Sequence, residues 1–366
     1  MSEQRPSNEQ TSEPEPTTKG VEIDRRTFVR KSVGVGVAAT IGGLIVGGGA
    51  LALRAWHDRS FQRGVSLAGA EFGPEQLPGV HGVDYFYPTV DSLDYYLARG
   101  LTLIRLPCRW ERLQHVLNGE LDPDELGRLD ALVAGVRIRK MQLIIDIHNY
   151  ARYQGGLIGT IAVPTSAFSD FWRRLAGHFR DESAIWAYGL MNEPHNTGGR
   201  WPAAAQAGVD GIRATDLDRP ILVSGDNWSS AVSWREANET LYIVDRSDKI
   251  IYEAHQYFDA DNAGHYLQTY DVQHAYPNIG IDRIRPFVEW LHDHRVRGFI
   301  GEYGVPGGDP RWLVALDRFL AHLDDQRIGA ACWAGGAHWG DYPLSLAPLN
   351  GGDRPQMAIL QRHLAR

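Results

Sequence analysis

Eight short apolar runs, each ending in polar or aromatic residues and starting about 30 to 48 residues after the one before, constrain this chain more than any other feature. They are Gly64–Phe72, Thr102–Trp110, Gln142–Tyr150, Ile185–Pro194, Pro220–Trp228, Ile250–Phe258, Gly298–Gly304 and Gly329–Ala337. Between them lie segments with apolar residues at three- and four-residue spacing, as in Asp124–Lys140, Ser166–Arg180, Ile281–Arg297 and Asp309–Gln326, the period of an amphipathic helix. Eight strands each followed by a helix, in roughly 300 residues, is the arithmetic of an α/β chain closed into a (β/α)8 TIM barrel. A doubly wound open sheet competes, but no Gly-x-Gly-x-x-Gly turn follows the first run. The segment Ser229 to Asp245 is weakly periodic, so the helix after the fifth strand is poorly marked. The reading is one catalytic domain over 60–366, without internal repeat, linker or second domain.

Reactive side chains of a barrel gather where strands run out into loops at the C-terminal face. Here those ends read Ile104-Arg105-Leu106-Pro107, Asp146-Ile147-His148-Asn149-Tyr150, Leu190-Met191-Asn192-Glu193-Pro194, His255-Gln256-Tyr257, Gly301-Glu302-Tyr303-Gly304 and Cys332-Trp333. Glu193 and Glu302 stand out, because a carboxylate leaving a packed apolar barrel costs several kcal/mol to desolvate unless it is paired or used. Two such groups facing one pocket are the minimal kit for cleaving a glycosidic bond: one protonates the leaving oxygen while the other attacks or activates water. The plainer alternative is a structural ion pair with arginine, and Arg105 suits either account. His148 and His255 raise the rival of a metal-dependent hydrolase. The only His-x-His, His292-Asp293-His294, falls inside a helical pattern, so hydrogen bonding to sugar or to a catalytic carboxylate is the better reading and no metal is expected.

Composition narrows the partner. With 37 basic against 45 acidic residues and a net charge of −8, the chain does not suit a phosphate backbone, and nucleic acid is not an expected partner. Two cysteines make neither a disulfide framework nor a four-thiolate zinc site. Cys108 and Cys332 fall on the second and eighth runs, which flank the first in a closed barrel. That separates their Cα atoms by about 9–10 Å, so both are expected as free thiols. Trp110, Tyr150, Trp201, Trp228, Trp333 and Trp339 all lie at or just beyond strand ends, where flat rings can stack on pyranose faces. A row of such platforms suits a chain of sugars.

An export leader precedes this domain. Residues 1–20 are rich in Ser, Glu, Pro, Thr and Gln and are expected to form a disordered tail. Across 21–53, Arg25-Arg26-Thr27-Phe28 precedes an uncharged stretch that resembles a twin-arginine signal, the address of a bacterial export channel for folded proteins. A buried core helix is disfavoured by seven glycines in Ser32 to Leu53, at roughly 1 kcal/mol each. Ala50-Leu51-Ala52 resembles a cleavage site, yet the run also reaches across a bilayer of about 30 Å, so release and membrane tethering both stay open. The expected locations are the periplasm, the medium or the inner membrane.

The motifs together resemble glycoside hydrolase family 5. Gly64 to Gly73, Arg105-Leu106-Pro107 with Trp110-Glu111-Arg112-Leu113-Gln114, and Asp146-x-His148-Asn149-Tyr150-Ala151-Arg152-Tyr153 carry the likeness. Gly189-Leu190-Met191-Asn192-Glu193-Pro194-His195, His255-Gln256-Tyr257, Gly301-Glu302-Tyr303-Gly304 and Trp339-Gly340-Asp341-Tyr342 extend it to the cellulase branch, from Gly64 to Gln356. The resemblance implies a retaining endo-β-1,4-glucanase without required metal or organic cofactor, acting on cellulose or a related β-glucan. It implies Glu193 as general acid/base and Glu302 as nucleophile, with the carboxyls about 5–5.5 Å apart. Arg105 and Tyr257 would hold Glu302 ionised and aimed. Asn192 would bind the sugar 2-hydroxyl, His148 the sugar at the reacting subsite, His255 would lie near Glu193, and Trp333 would form the floor. A mannanase or mixed-linkage glucanase is the alternative on the same machinery, and a membrane-tethered glucan-binding protein without turnover is the alternative outside it. Three departures stand out: His338 replaces an expected tryptophan, Cys108 an expected phenylalanine, and Asp259-Ala260-Asp261-Asn262-Ala263-Gly264 follows the family's loop only loosely.

Overall fold

The computed structural model describes residues 61–364, so the expected tail (1–20) and leader (21–53) lie outside the described residues. Each of the eight runs coincides with one strand, two of which begin a residue earlier than the run: β1 Arg63–Leu67, β2 Leu103–Cys108, β3 Gln142–Ile147, β4 Ile185–Gly189, β5 Ile221–Ser224, β6 Ile250–His255, β7 Arg297–Glu302 and β8 Gly329–Gly335. They close into one parallel barrel in chain order, β1 pairing with both β2 and β8. The strands stop earlier than the apolar runs suggest. Ladder pairing ends and the chain turns into the mouth before the last polar residues, so Glu193 lies in the loop beyond β4 while Glu302 is the last residue of β7.

Eight helices follow the strands among the described residues: α1 Val90–Leu97, α2 Pro123–Ile138, α3 Thr165–Phe179, α4 Trp201–Arg213, α5 Trp234–Asn238, α6 Ile279–His294, α7 Pro310–Gln326 and α8 Pro355–Arg362. A single helical turn, Trp110–Leu113, and a small hairpin of Arg152–Tyr153 with Gly156–Leu157 decorate the loops. Local chemistry sets the ends. Asp122 accepts from the backbone of Asp124 and Glu125 at the start of α2, with Pro123 pre-shaped for the first turn. Asp309 and Pro310 repeat the device at α7. The weakly periodic stretch after β5 yields only the five residues of α5, anchored by buried Trp234 and Asn238.

Strand alternation explains why the site sits where it does. Leu103, Ile144, Trp186, Ala187, Leu222, Ile251, Phe299 and Ala331 form a closed apolar cluster inside the barrel, separate from the larger core between sheet and helices. Two residues further along a strand points to the same side. Above Leu103, Ile144, Leu222 and Ile251 therefore stand Arg105, Asp146, Ser224 and Glu253, all fully buried. The barrel is plugged with hydrocarbon and floored, one layer up, with charge. Gly301 belongs to this layer: a Cβ there would lie 1.7 Å from Glu253 Oε1. Cys108 and Cys332 are both free and buried, on β2 and β8 as expected. No described helix is long and apolar enough to cross a membrane.

Candidate active site

Arg105 organises the mouth from beneath. Its Nη1 donates to Glu302 Oε1 at 2.9 Å and its Nη2 to Asn192 Oδ1 at 2.8 Å. Asp146 Oδ2 and Glu253 Oε1 each lie 3.2 Å from the same guanidinium. The Tyr257 hydroxyl donates to the other oxygen of Glu302 at 2.8 Å, so both oxygens of that carboxylate are fixed in direction by donors. Glu193 adopts a left-handed backbone (φ 44°) and reaches His255 Nδ1 at 2.7 Å. That nitrogen is also 3.6 Å from Glu302 Oε2. One atom from each of Glu193, His255 and Glu302 falls within 4.8 Å of the others, so the two carboxylates face one another across a gap that the imidazole spans.

The two histidines are set to different charge states, one neutral and one cationic. Burial holds His148 down, to about 3, so it is neutral at working pH. Its Nδ1 lies 2.8 Å from Asp146 and its Nε2 3.2 Å from Asn192 Nδ2, which assigns the proton to Nδ1 and leaves Nε2 to accept. His255 is also buried, which disfavours its cation, but Glu302, Glu193 and Glu253 outweigh that and push it up to about 10. Burial raises the Asp146 carboxyl, while Arg105 and His255 overcome burial and lower that of Glu253.

Aromatic rings run from one side of this pair to the other. Trp333 lies parallel to the His148 ring at 5.6 Å, Trp339 stands 5.6 Å beyond it, and Phe72 packs edge-on against Trp339 at 4.9 Å. In the other direction Tyr150 stands 5.5 Å from His148 and Trp228 5.8 Å from Tyr150. His195 stacks on Trp228 at 3.5 Å with planes 7° apart, and Trp228 is still 47% exposed. A cavity of about 590 Å³ opens beside Glu193, lined by Trp228, Asn227, Ser230, His255, Tyr257 and Asn262.

Two expected platforms are corrected. Trp110 is fully buried against Tyr153, Phe168 and Phe171, its indole N–H donating to Gln114. Trp201 is 1% exposed, opens α4 and donates to the Ser224 carbonyl. Trp110 comes just after β2 and Trp201 at the end of the loop after β4, but each begins a helical segment that swings the ring back into the layer between helices and sheet. Arg105, His148, Asn192, Glu193, His255, Tyr257, Glu302, Tyr150, Trp228, Trp333 and Trp339 are brought together at the mouth.

Asp146, Glu253 and His195 were not among the expected site residues. The desolvation argument that selects Glu193 and Glu302 applies equally to Asp146 and Glu253, charged residues within apolar strands. Nothing in the sequence announces that His195 would back Trp228, because the contact joins two loops. The departures resolve individually. His338 stacks on Phe86 at 3.8 Å, retaining a flat surface at that position. Cys108 is a buried thiol facing the Leu106 carbonyl. Asp259 closes its loop by accepting from the backbone of Gly264, His265 and Tyr266.

Comparison with known proteins gives the family and the fold. The profile of the cellulase family, glycosyl hydrolase family 5, matches residues 65–338. Endo-beta-1,4-glucanase B of Aspergillus niger is 34% identical over 293 residues, covering 79% of this chain and 85% of that protein. The Pseudomonas stutzeri endoglucanase Cel5A, solved with cellobiose, is 43% identical with a TM-score of 0.80, covering 83% of this chain and 92% of that one. XacCel5A, solved with cellopentaose, is 37% identical with a TM-score of 0.79, over 83% and 99% of the two chains.

Proposed function

This chain belongs to glycoside hydrolase family 5, and from that premise we propose that it is a retaining endo-β-1,4-glucanase, with Glu302 as nucleophile and Glu193 as general acid/base. The observation that carries the reading is the closeness of the two carboxylates, bridged by His255, in the middle of an aromatic track that continues on both sides. A track extending both ways accommodates a chain that enters and leaves the cleft, the requirement for cutting within a polymer. Relatives solved with cellobiose and cellopentaose support a β-1,4-glucan as the occupant.

In the first step a Glu302 oxygen attacks the anomeric carbon while the glycosidic C–O bond breaks and Glu193 gives its proton to the departing oxygen. The product is a glycosyl ester on Glu302. In the second step Glu193, now a carboxylate, takes a proton from water, whose oxygen attacks the same carbon and displaces Glu302. Two inversions give retention. Arg105 and Tyr257 hold the attacking carboxylate in line. Asn192, with Oδ1 fixed by Arg105 and one N–H toward His148, keeps its second N–H for the 2-hydroxyl, where hydrogen bonds strengthen as oxocarbenium character develops. Trp333 lies beneath the reacting sugar, and Trp228 receives the departing one.

Reducing-end release from carboxymethyl-cellulose, mixed-linkage glucan and mannan, each with wild type and Glu302→Ala, tests the reading. Activity on the cellulose derivative that disappears in the variant is expected; activity confined to mannan would overturn the substrate, and silence on all three would favour a binding protein. The basic pair Arg25-Arg26 and the uncharged run after it support export by the twin-arginine route. Arg25 and Arg26 both replaced by Lys should leave the protein in the cytoplasm, and unimpaired export of that variant would refute the route.

A further inference from the structure

Glu253 is a fully buried carboxylate for which the double-displacement mechanism has no use. It nevertheless touches both cations serving the two catalytic glutamates, as among the described carboxylates Glu302, itself one of that pair, also does. Its Oε1 lies 3.2 Å from Arg105 Nε, and Arg105 holds Glu302. The same oxygen lies 3.5 Å from His255 Nε2, whose other nitrogen holds Glu193. Glu253 Oε1, His255 Nε2 and Arg105 Nε are all buried without a hydrogen bond of good geometry, so this one carboxylate oxygen, 3.5 Å from the imidazole nitrogen and 3.2 Å from the guanidinium nitrogen, is the nearest acceptor for both. Gly301 clears the space this carboxylate occupies.

The surroundings of His255 decide where its mobile proton sits. Glu193 approaches Nδ1 from the loop after β4, Glu302 from β7, and Glu253 approaches Nε2 from its own strand. Arg105 and Asp146 lie one layer beneath, already paired with each other. Tyr257 is turned to Glu302. A carboxylate at Nε2 keeps that nitrogen protonated whether the ring is neutral or cationic.

We propose that Glu253 is a positioning residue for proton transfer: by holding the Nε2–H of His255 it makes Nδ1, the nitrogen facing Glu193, the place from which the acid proton is drawn and to which it returns. As the leaving group departs, the Nδ1–H bond breaks and a Glu193 O–H bond forms, and Glu193 passes that proton to the glycosidic oxygen. In the second step water returns a proton to Glu193 and thence to Nδ1. Glu253 stays ionised throughout. The proposal rests on the assignment of Glu193 as acid/base and goes beyond it, in making the proton the property of a Glu193–His255 pair set by a third residue.

The test is the pH profile of kcat/KM on a cello-oligosaccharide. In Glu253→Gln the basic limb should move down by about one unit or more, because the pair loses a neighbouring negative charge and releases its proton earlier. Glu253→Asp should return the limb toward wild type. On 2,4-dinitrophenyl cellobioside, whose leaving group needs no proton, Glu253→Gln should keep a near wild-type rate for the first step. A uniform loss on both substrates with unmoved limbs, or no change at all, would overturn the proposal. Should Glu253→Gln not fold, 15N NMR of His255 in the wild type decides: Nε2 protonated across the active pH range is expected, and an unprotonated Nε2 contradicts. Glu193→Ala run alongside separates the two levels. If its kcat/KM, which reads the first step, falls as much on the activated glycoside as on the oligosaccharide, the acid/base assignment itself fails; if it shows the split while Glu253→Gln does not, only the role of Glu253 fails.

Discussion

Glu193 and Glu302 differ in their partners more than in their chemistry. Glu302 accepts from Arg105 and Tyr257 and has nothing to give, whereas Glu193 faces an imidazole with which it can share a proton. Replacing Glu193 by Gln should therefore cost about 10²- to 10⁴-fold in kcat on unactivated glucan. The loss in the first step, read as kcat/KM, should be far smaller on an activated aryl glycoside, and equal first-step losses on both would contradict an acid role. The same scale makes Gly301 a sensitive position: a methyl placed 1.7 Å from Glu253 must displace a buried carboxylate. Gly301→Ala should lower stability by roughly 1–3 kcal/mol by overpacking, read as a shift in denaturation midpoint, and a midpoint within error of wild type would contradict that. Glu193 and Glu302 were legible in the sequence because charged residues at the ends of apolar strands demand a reason. Glu253 and Asp146 met the same criterion inside their strands, and only the alternation of β6 and β3 above the apolar plug shows that they point into the barrel.

The strands and long helices were legible for the same reason: a buried parallel strand is a short continuous apolar run, and an amphipathic helix repeats every three to four residues. What hydropathy does not encode is where ladder pairing stops, so the last residues of each run proved to be loop. The same limit misled the reading of Trp110 and Trp201, whose sequence positions match those of true platforms but whose helical turns carry the rings inward. The distinction is testable. Trp110→Ala should cost about 3–5 kcal/mol of stability, since it empties a packed core site. Trp228→Ala should leave the denaturation midpoint nearly unchanged and raise KM on long glucans, because its ring is half exposed beside the acid/base. An unstable Trp228→Ala with normal KM would reverse the two roles.

Across the whole molecule, the buried charge that serves catalysis also shapes stability against pH. His255 has a folded pKa near 10, above its ordinary 6.5, so its contribution is complete below about 6.5 and is lost as pH rises toward 10. His148, held near 3, works in the opposite direction: the unfolded chain binds a proton below about 6.5 that the folded one refuses, so stability falls as pH drops toward 3. Thermal melts should accordingly peak near neutrality, with the alkaline decline flattened in His255→Asn; an unaltered alkaline limb in that variant would contradict the linkage. On the proposed mechanism the barrel, the charged layer above its plug and the aromatic track serve one event, the formation and breakdown of a glycosyl ester on Glu302. The most direct measurement is to treat the enzyme with 2-deoxy-2-fluoro-cellobiosyl fluoride or an equivalent slow substrate and locate the label by peptide mass spectrometry. A single adduct on the peptide carrying Glu302, absent in Glu302→Ala, is the predicted result; a label on Glu193, or hydrolysis with inversion and no adduct, would contradict the account.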